Sequence, residues 1–120
     1  MRRSAVAFAL AAGLTLSGSA AIADVQAGLP CAATATPVRP AQYSNVVIRV
    51  ETAARADVTA VAHYKTTNTT KRAVADLHGI AKPTFYISGA TVGYRVVVDV
   101  TVTKGLRRGS CSTSFVPQAA

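Results

Sequence analysis

Over residues 93–102, Tyr94, Val96, Val98, Val100 and Val102 alternate with Arg95, Val97, Asp99 and Thr101. A period of two places the first set on one face of a strand and the second on the other. The pattern recurs along the chain. Val46, Ile48, Val50 and Thr52 oppose Val47, Arg49 and Glu51, and Val58, Ala60, Ala62 and Tyr64 oppose Thr59, Val61, His63 and Lys65. Phe85 and Ile87 form a short inward pair, while Cys111, Thr113 and Phe115 alternate with Ser112 and Ser114. Each run has one apolar and one mixed face, as a half-buried antiparallel strand requires. Val, Ile and Thr dominate these runs and suit a pleated surface.

Turn chemistry separates the runs. Residues 66–70 are all Thr or Asn, residues 77–83 carry Gly79 and Pro83, and Gly89, Gly105 and Gly109 mark further breaks. The pattern predicts about seven strands, at residues 34–38, 45–52, 57–66, 70–76, 84–88, 93–103 and 110–116. Pro37 and Pro40 restrict the first to an edge strand or a loop. Residues 117–120 are expected to fray. Short strands at this spacing predict an all-β, antiparallel β-sandwich.

The first residues read differently. Arg2 and Arg3 precede an apolar run over residues 5–16, and Ala21-Ile22-Ala23 is a small-x-small cleavage site. Residues 1–23 therefore read as a cleaved secretory signal peptide, and residues 24–120 as a single domain. The apolar run is too short to span a membrane, and no later stretch approaches the roughly 18 apolar residues needed. Export makes a disulfide the natural state of the two cysteines, Cys31 and Cys111. Such a bridge closes a loop of about 80 residues and stabilises the fold by roughly 4.5 kcal/mol in the chain-entropy treatment.

Tyr94 starts a long alternating strand soon after Gly89-Ala90-Thr91. In that position it resembles the tyrosine corner of immunoglobulin-like and fibronectin-type-III-like domains. The resemblance extends to the strand number and covers most of residues 24–120. It implies an immunoglobulin-like sandwich in which the second, fourth and sixth connections meet at one end. The chain departs from a true immunoglobulin domain in two respects. Val96 stands where a cysteine follows the tyrosine, and there is no tryptophan.

Catalytic signals are few. The acids are Asp24, Glu51, Asp57, Asp76 and Asp99, and the histidines are His63 and His78. No Gly-x-Ser-x-Gly, His-Glu-x-x-His or phosphate loop occurs, and no glutamate pair is available for glycoside hydrolysis. A non-enzymatic protein without a cofactor is expected. Asp99 reads as a cross-strand charge partner beside Arg95. Asp76 and His78 form a weak alternative metal pair that His63 could complete from a neighbouring strand. Asn68-Thr69-Thr70 matches the N-glycosylation sequon but reads as a polar hairpin tip.

Charge says more. The chain carries 13 Lys and Arg against five acids, a formal net charge of +8, of which Arg2 and Arg3 belong to the leader. The connections expected to meet at one end hold Arg55, His78, Lys82, Lys104, Arg107 and Arg108, with Asp57 and Asp76 the acids nearby. Arg39, Lys65, Lys71 and Arg72 fall to the opposite end. Arg55, Lys82, Lys104, Arg107 and Arg108 are the candidate binding residues, suited to an anionic cell-envelope polymer or an acidic partner protein. The basic loops lack interleaved aromatics and a recognition helix, which argues against a specific nucleic-acid target. Tyr43, Tyr64, Tyr86 and Tyr94 are assigned to the core and sheet faces. An alternative function is a secreted inhibitor or toxin-like effector that inserts residues 104–109 into a partner, with Arg107 or Arg108 as anchor.

Overall fold

The computed structural model describes residues 28–120. The expected signal peptide lies outside them. The chain forms β1 (Ala32–Thr36), β2 (Asn45–Glu51), β3 (Asp57–His63), β4 (Asn68–Val74), β5 (Ile80–Ala81), β6 (Thr84–Tyr86), β7 (Val96–Lys104) and β8 (Arg107–Phe115). In one sheet β2 pairs with β1 on one side and with β5 and β6 on the other; the second sheet runs β4-β3-β7-β8. All pairings are antiparallel. This is the predicted all-β sandwich, with the two-residue β5 as an addition.

The alternating residues make the core. Val46, Ile48 and Val50 of β2 are fully buried, as are Val98 and Val102 of β7. On β3 the small Ala60 and Ala62 stand beside Val100 and Val98. Phe85 and Phe115 are the largest fully buried side chains and belong to the same core cluster. Interdigitation of large and small side chains gives such an interior its density. Cys31 and Cys111 are bridged, with Cα atoms 5.5 Å apart, so the segment entering β1 is tied to β8. A bridged pair is what an oxidising environment supports.

Several boundaries differ from expectation. Tyr94 does not line the core. Its N–H donates to Thr91 O, Gly93 has a φ of 80°, and β7 starts only at Val96. The Tyr94 side chain is exposed. Tyr43 and Tyr86 are exposed as well, 61% and 58%, so of the four tyrosines only Tyr64 packs on the core, edge-on to Phe115 at 6.3 Å. Asn68-Thr69-Thr70 is not a hairpin tip but the start of β4; the turn is residues 64–67, closed by Tyr64 N–H to Thr67 O at 2.8 Å. β8 begins at Arg107 because Gly105 and Leu106 suffice to turn the chain. A glycine with φ of 62° at the first central position is what a type II′ hairpin asks for.

The tail is not frayed. Val116 N–H donates to Val38 O, Gln118 N–H to Pro40 O, and Gln42 N–H to Gln118 O, all within 2.9 Å. Pro117 is buried. These bonds lace the C-terminal residues along the β1–β2 connection, giving backbone groups the partners that a frayed tail would leave to water.

Candidate functional site

The register places the β2–β3, β4–β5 and β7–β8 connections at one end. Asp57 lies level with Val74 and Thr103, and Glu51 with Ile80. Arg55, Lys104, Arg107 and Arg108 are brought to this basic end. Lys82 follows β5 and lies just inside it, on the margin formed by β5 and β6. Arg107 and Arg108 occupy the opposite margin, where β8 adjoins β1. The cations therefore span both sheets rather than forming a single tight cluster.

The end is built rigidly. Arg55 sits at the turn with a φ of 64°, its N–H on Asp76 O at 3.2 Å, and Thr52 N–H reaches Gly79 O at 2.7 Å. A Cβ on Gly79 would stand 2.1 Å from Thr52 O, so only glycine permits this approach. Lys104 Nζ donates to Ala54 O at 2.7 Å, and Arg107 Nη2 to Gly28 O at 2.8 Å. These two side chains reach from the β7–β8 hairpin to neighbouring backbone. Arg108 is held through its backbone, which accepts Leu29 N–H at 3.0 Å; its side chain is exposed.

Asp76 has a local role. Its Oδ1 accepts the N–H groups of His78 at 2.8 Å and Ile80 at 3.0 Å. These bonds, Ile80 first and His78 second, hold its carboxyl below the usual carboxylate range. The carboxylate thus shapes the turn. His63 cannot complete a metal site with Asp76 and His78. It ends β3 at the far end, six residues along the strand from Asp57, a span of about 20 Å. No group of three metal-ligating side chains occurs among the described residues. His63 instead meets Asp99 of the neighbouring strand, Nε2 to Oδ2 at 2.9 Å, so Asp99 has its partner across the sheet. Arg95 donates to Ser114 Oγ at 2.9 Å.

No protein-family model matches the chain, and no curated protein matches it either.

Two features of these surfaces escaped the sequence reading. Leu106, at the tip of the β7–β8 hairpin, is completely exposed, and Leu77 of the β4–β5 connection is 68% exposed. Both stand at the basic end. A leucine inside a two-residue turn flanked by Lys104 and Arg107 was the available signal. At the far end, a cleft of about 280 Å³ opens between residues 64–69 and 86–91. The alternation that turns Phe85 and Ile87 inward already implies an outward Tyr86. Lys71 and Arg72 do not belong to the far end. They lie mid-strand on β4, opposite Ala60 and Thr59. The far end keeps Arg39 and Lys65 and gains Arg95, which precedes β7.

Proposed function

We propose that this chain is a secreted, non-enzymatic binding module that engages an anionic extracellular polymer, of the kind found in cell envelopes, through the basic end. One observation carries this reading. Among the described residues, Arg49 is the one Lys or Arg within salt-bridge distance of a carboxylate, that of Glu51. Arg55, Lys104, Arg107 and Arg108 have no carboxylate partner there, and Lys82 is not within salt-bridge distance of one, although its charge helps to lower the Asp76 pKa. Cations without internal counter-charges keep their field for an external one. The rigid loops add to this, since a preformed surface loses little entropy on binding. The immunoglobulin-like reading is supported by the division of strands: β1, β2, β5 and β6 form one sheet, and β3, β7 and β8 form the other with β4 added. Secretion is supported by the leader's sequence and by the disulfide. Among the described residues no helix is long and apolar enough to cross a membrane.

The test is the fraction of purified residues 24–120 bound to isolated bacterial envelopes across a salt series. Bound fraction is expected to fall steadily with salt. Any single Arg→Ala change should leave most of the binding, whereas replacing Arg55, Lys82, Arg107 and Arg108 together should abolish it. Binding unchanged in the fourfold variant overturns the reading. The inhibitor alternative is favoured by Leu106, an apolar side chain with nothing to pack on. In that case Leu106→Ser alone abolishes a stoichiometric, salt-resistant complex with a partner protein.

A further inference from the structure

We propose that the far-end cleft binds a sugar ring, independently of the basic end. The cleft lies on the open side of the sandwich, between β4 and β6, each at the edge of its sheet. Both sheets line it. Tyr64, Lys65, Thr66, Thr67 and Thr69 come from the β3–β4 side, and residues 86–91 from the other, with buried Ile87 among them. Its volume is near the lower end of the roughly 300–1,000 Å³ that small-molecule sites occupy, which suits a ring or two rather than a folded partner.

The chemistry of the lining selects the ligand. Seven hydroxyl-bearing residues line the cleft: Tyr64, Thr66, Thr67, Thr69, Tyr86, Ser88 and Thr91. None makes a side-chain hydrogen bond to another described residue. A hydroxyl both donates and accepts, so its natural counterpart is a ligand rich in groups that do the same. Tyr86, which is exposed, adds an apolar ring with a polar tip, the combination that matches a pyranose with its C–H face and equatorial hydroxyls. Burial pushes the Tyr64 phenol up, which keeps it protonated as a donor. Lys65 is the one charged group in the lining, so an acidic sugar is accepted as readily as a neutral one. No carboxylate lines the cleft, and hydrolysis of a glycoside needs two. The role proposed for the cleft is therefore binding.

The wall behind the cleft is backbone held under constraint. Tyr43 and Ser88 have φ angles of 61° and 50°, and Tyr43 N–H donates to Ser88 O at 2.7 Å. A Cβ on Gly89 would stand 3.1 Å from the Tyr43 hydroxyl, so the bare glycine lets a third tyrosine lie close against it. Gln42 Nε2 fixes the same turn through Ala90 O at 2.8 Å. Non-glycine residues held at positive φ persist where surrounding structure over-determines them, commonly at ligand sites.

The experiment titrates isotope-labelled residues 24–120 with chitotriose, cellotriose and maltotriose up to about 10 mM and follows the backbone amide shifts. At least one sugar is expected to give saturable shifts confined to residues 64–69 and 86–91. Tyr86→Ala, an exposed position, should weaken that binding at least tenfold with an unchanged unfolding midpoint, while Arg108→Ala leaves it untouched. Absence of saturable shifts with all three sugars overturns the inference, as do shifts that map to the basic end or survive Tyr86→Ala. Inorganic polyphosphate, added in parallel, reports on the basic end alone, so each site can fail without the other.

Discussion

Asp76 and Gly79 organise the basic end although neither belongs to the candidate binding set. The Asp76 carboxylate accepts two backbone N–H groups and its pKa is lowered in the fold. A group with a depressed folded pKa contributes stability above its unfolded value, and that contribution is lost as pH falls through the folded value. Asp76→Ala should therefore lower the urea midpoint at pH 7. The gap between variant and wild type should close as the pH drops below the usual carboxylate range, and a gap that persists at low pH would remove the carboxylate from the account. Gly79→Ala meets both a positive φ and the Thr52 carbonyl. It should cost about 1–3 kcal/mol from the backbone conformation alone, read as a lowered midpoint in the same denaturation experiment.

At the scale of elements, β4 is an edge strand bonded on one side only, to β3. Lys71 sits at its centre in register with buried Ala60, which puts the lysine on the inward-facing side of the strand. An inward charge on an edge strand discourages a second copy from adding to the sheet. Lys71→Val should accordingly promote concentration-dependent association, visible in light scattering behind a sizing column; a monomer at all concentrations would show that other features protect this edge. The bridge between Cys31 and β8 stands at the other margin of the sandwich. Replacing both cysteines by alanine should cost up to roughly 4.5 kcal/mol in the chain-entropy treatment, measured by urea unfolding. These elements also show what a sequence can display. β2, β3 and β7 were legible because each buries one face completely and leaves the other to solvent, so their side chains alternate visibly. β5 was not, because two residues carry no period. Tyr94 kept the alternation but not the strand, since pairing starts where the turn at Thr91 and the Pro117 carbonyl release the chain. The basic end was legible from which connections share an end. The far-end cleft was not, because it needs Tyr64 of one sheet beside Tyr86 of the other, a juxtaposition that only packing creates.

For the whole molecule, charge without internal partners sets a mild internal repulsion. Among the described residues Arg49 is paired with Glu51, and His63 shares a hydrogen bond with Asp99. Screening should relieve the repulsion. Raising ionic strength from about 10 to 150 mM, which shortens the Debye length from about 30 to 8 Å, should raise the melting temperature, where a protein held by surface ion pairs would show the reverse. The position of the disulfide has a mechanical consequence as well. Its two cysteines are 80 residues apart in sequence and close to the two ends of the described residues. Tension applied at Gly28 and Ala120 passes through the sulfur atoms and spares the strands between Cys31 and Cys111, so a stretched molecule yields only the tail and the end of β8, Ser112–Phe115, which peels from β7. Once the bridge is reduced, the same pull reaches the strands and can release nearly the full loop, about 270 Å at roughly 3.3–3.6 Å per residue.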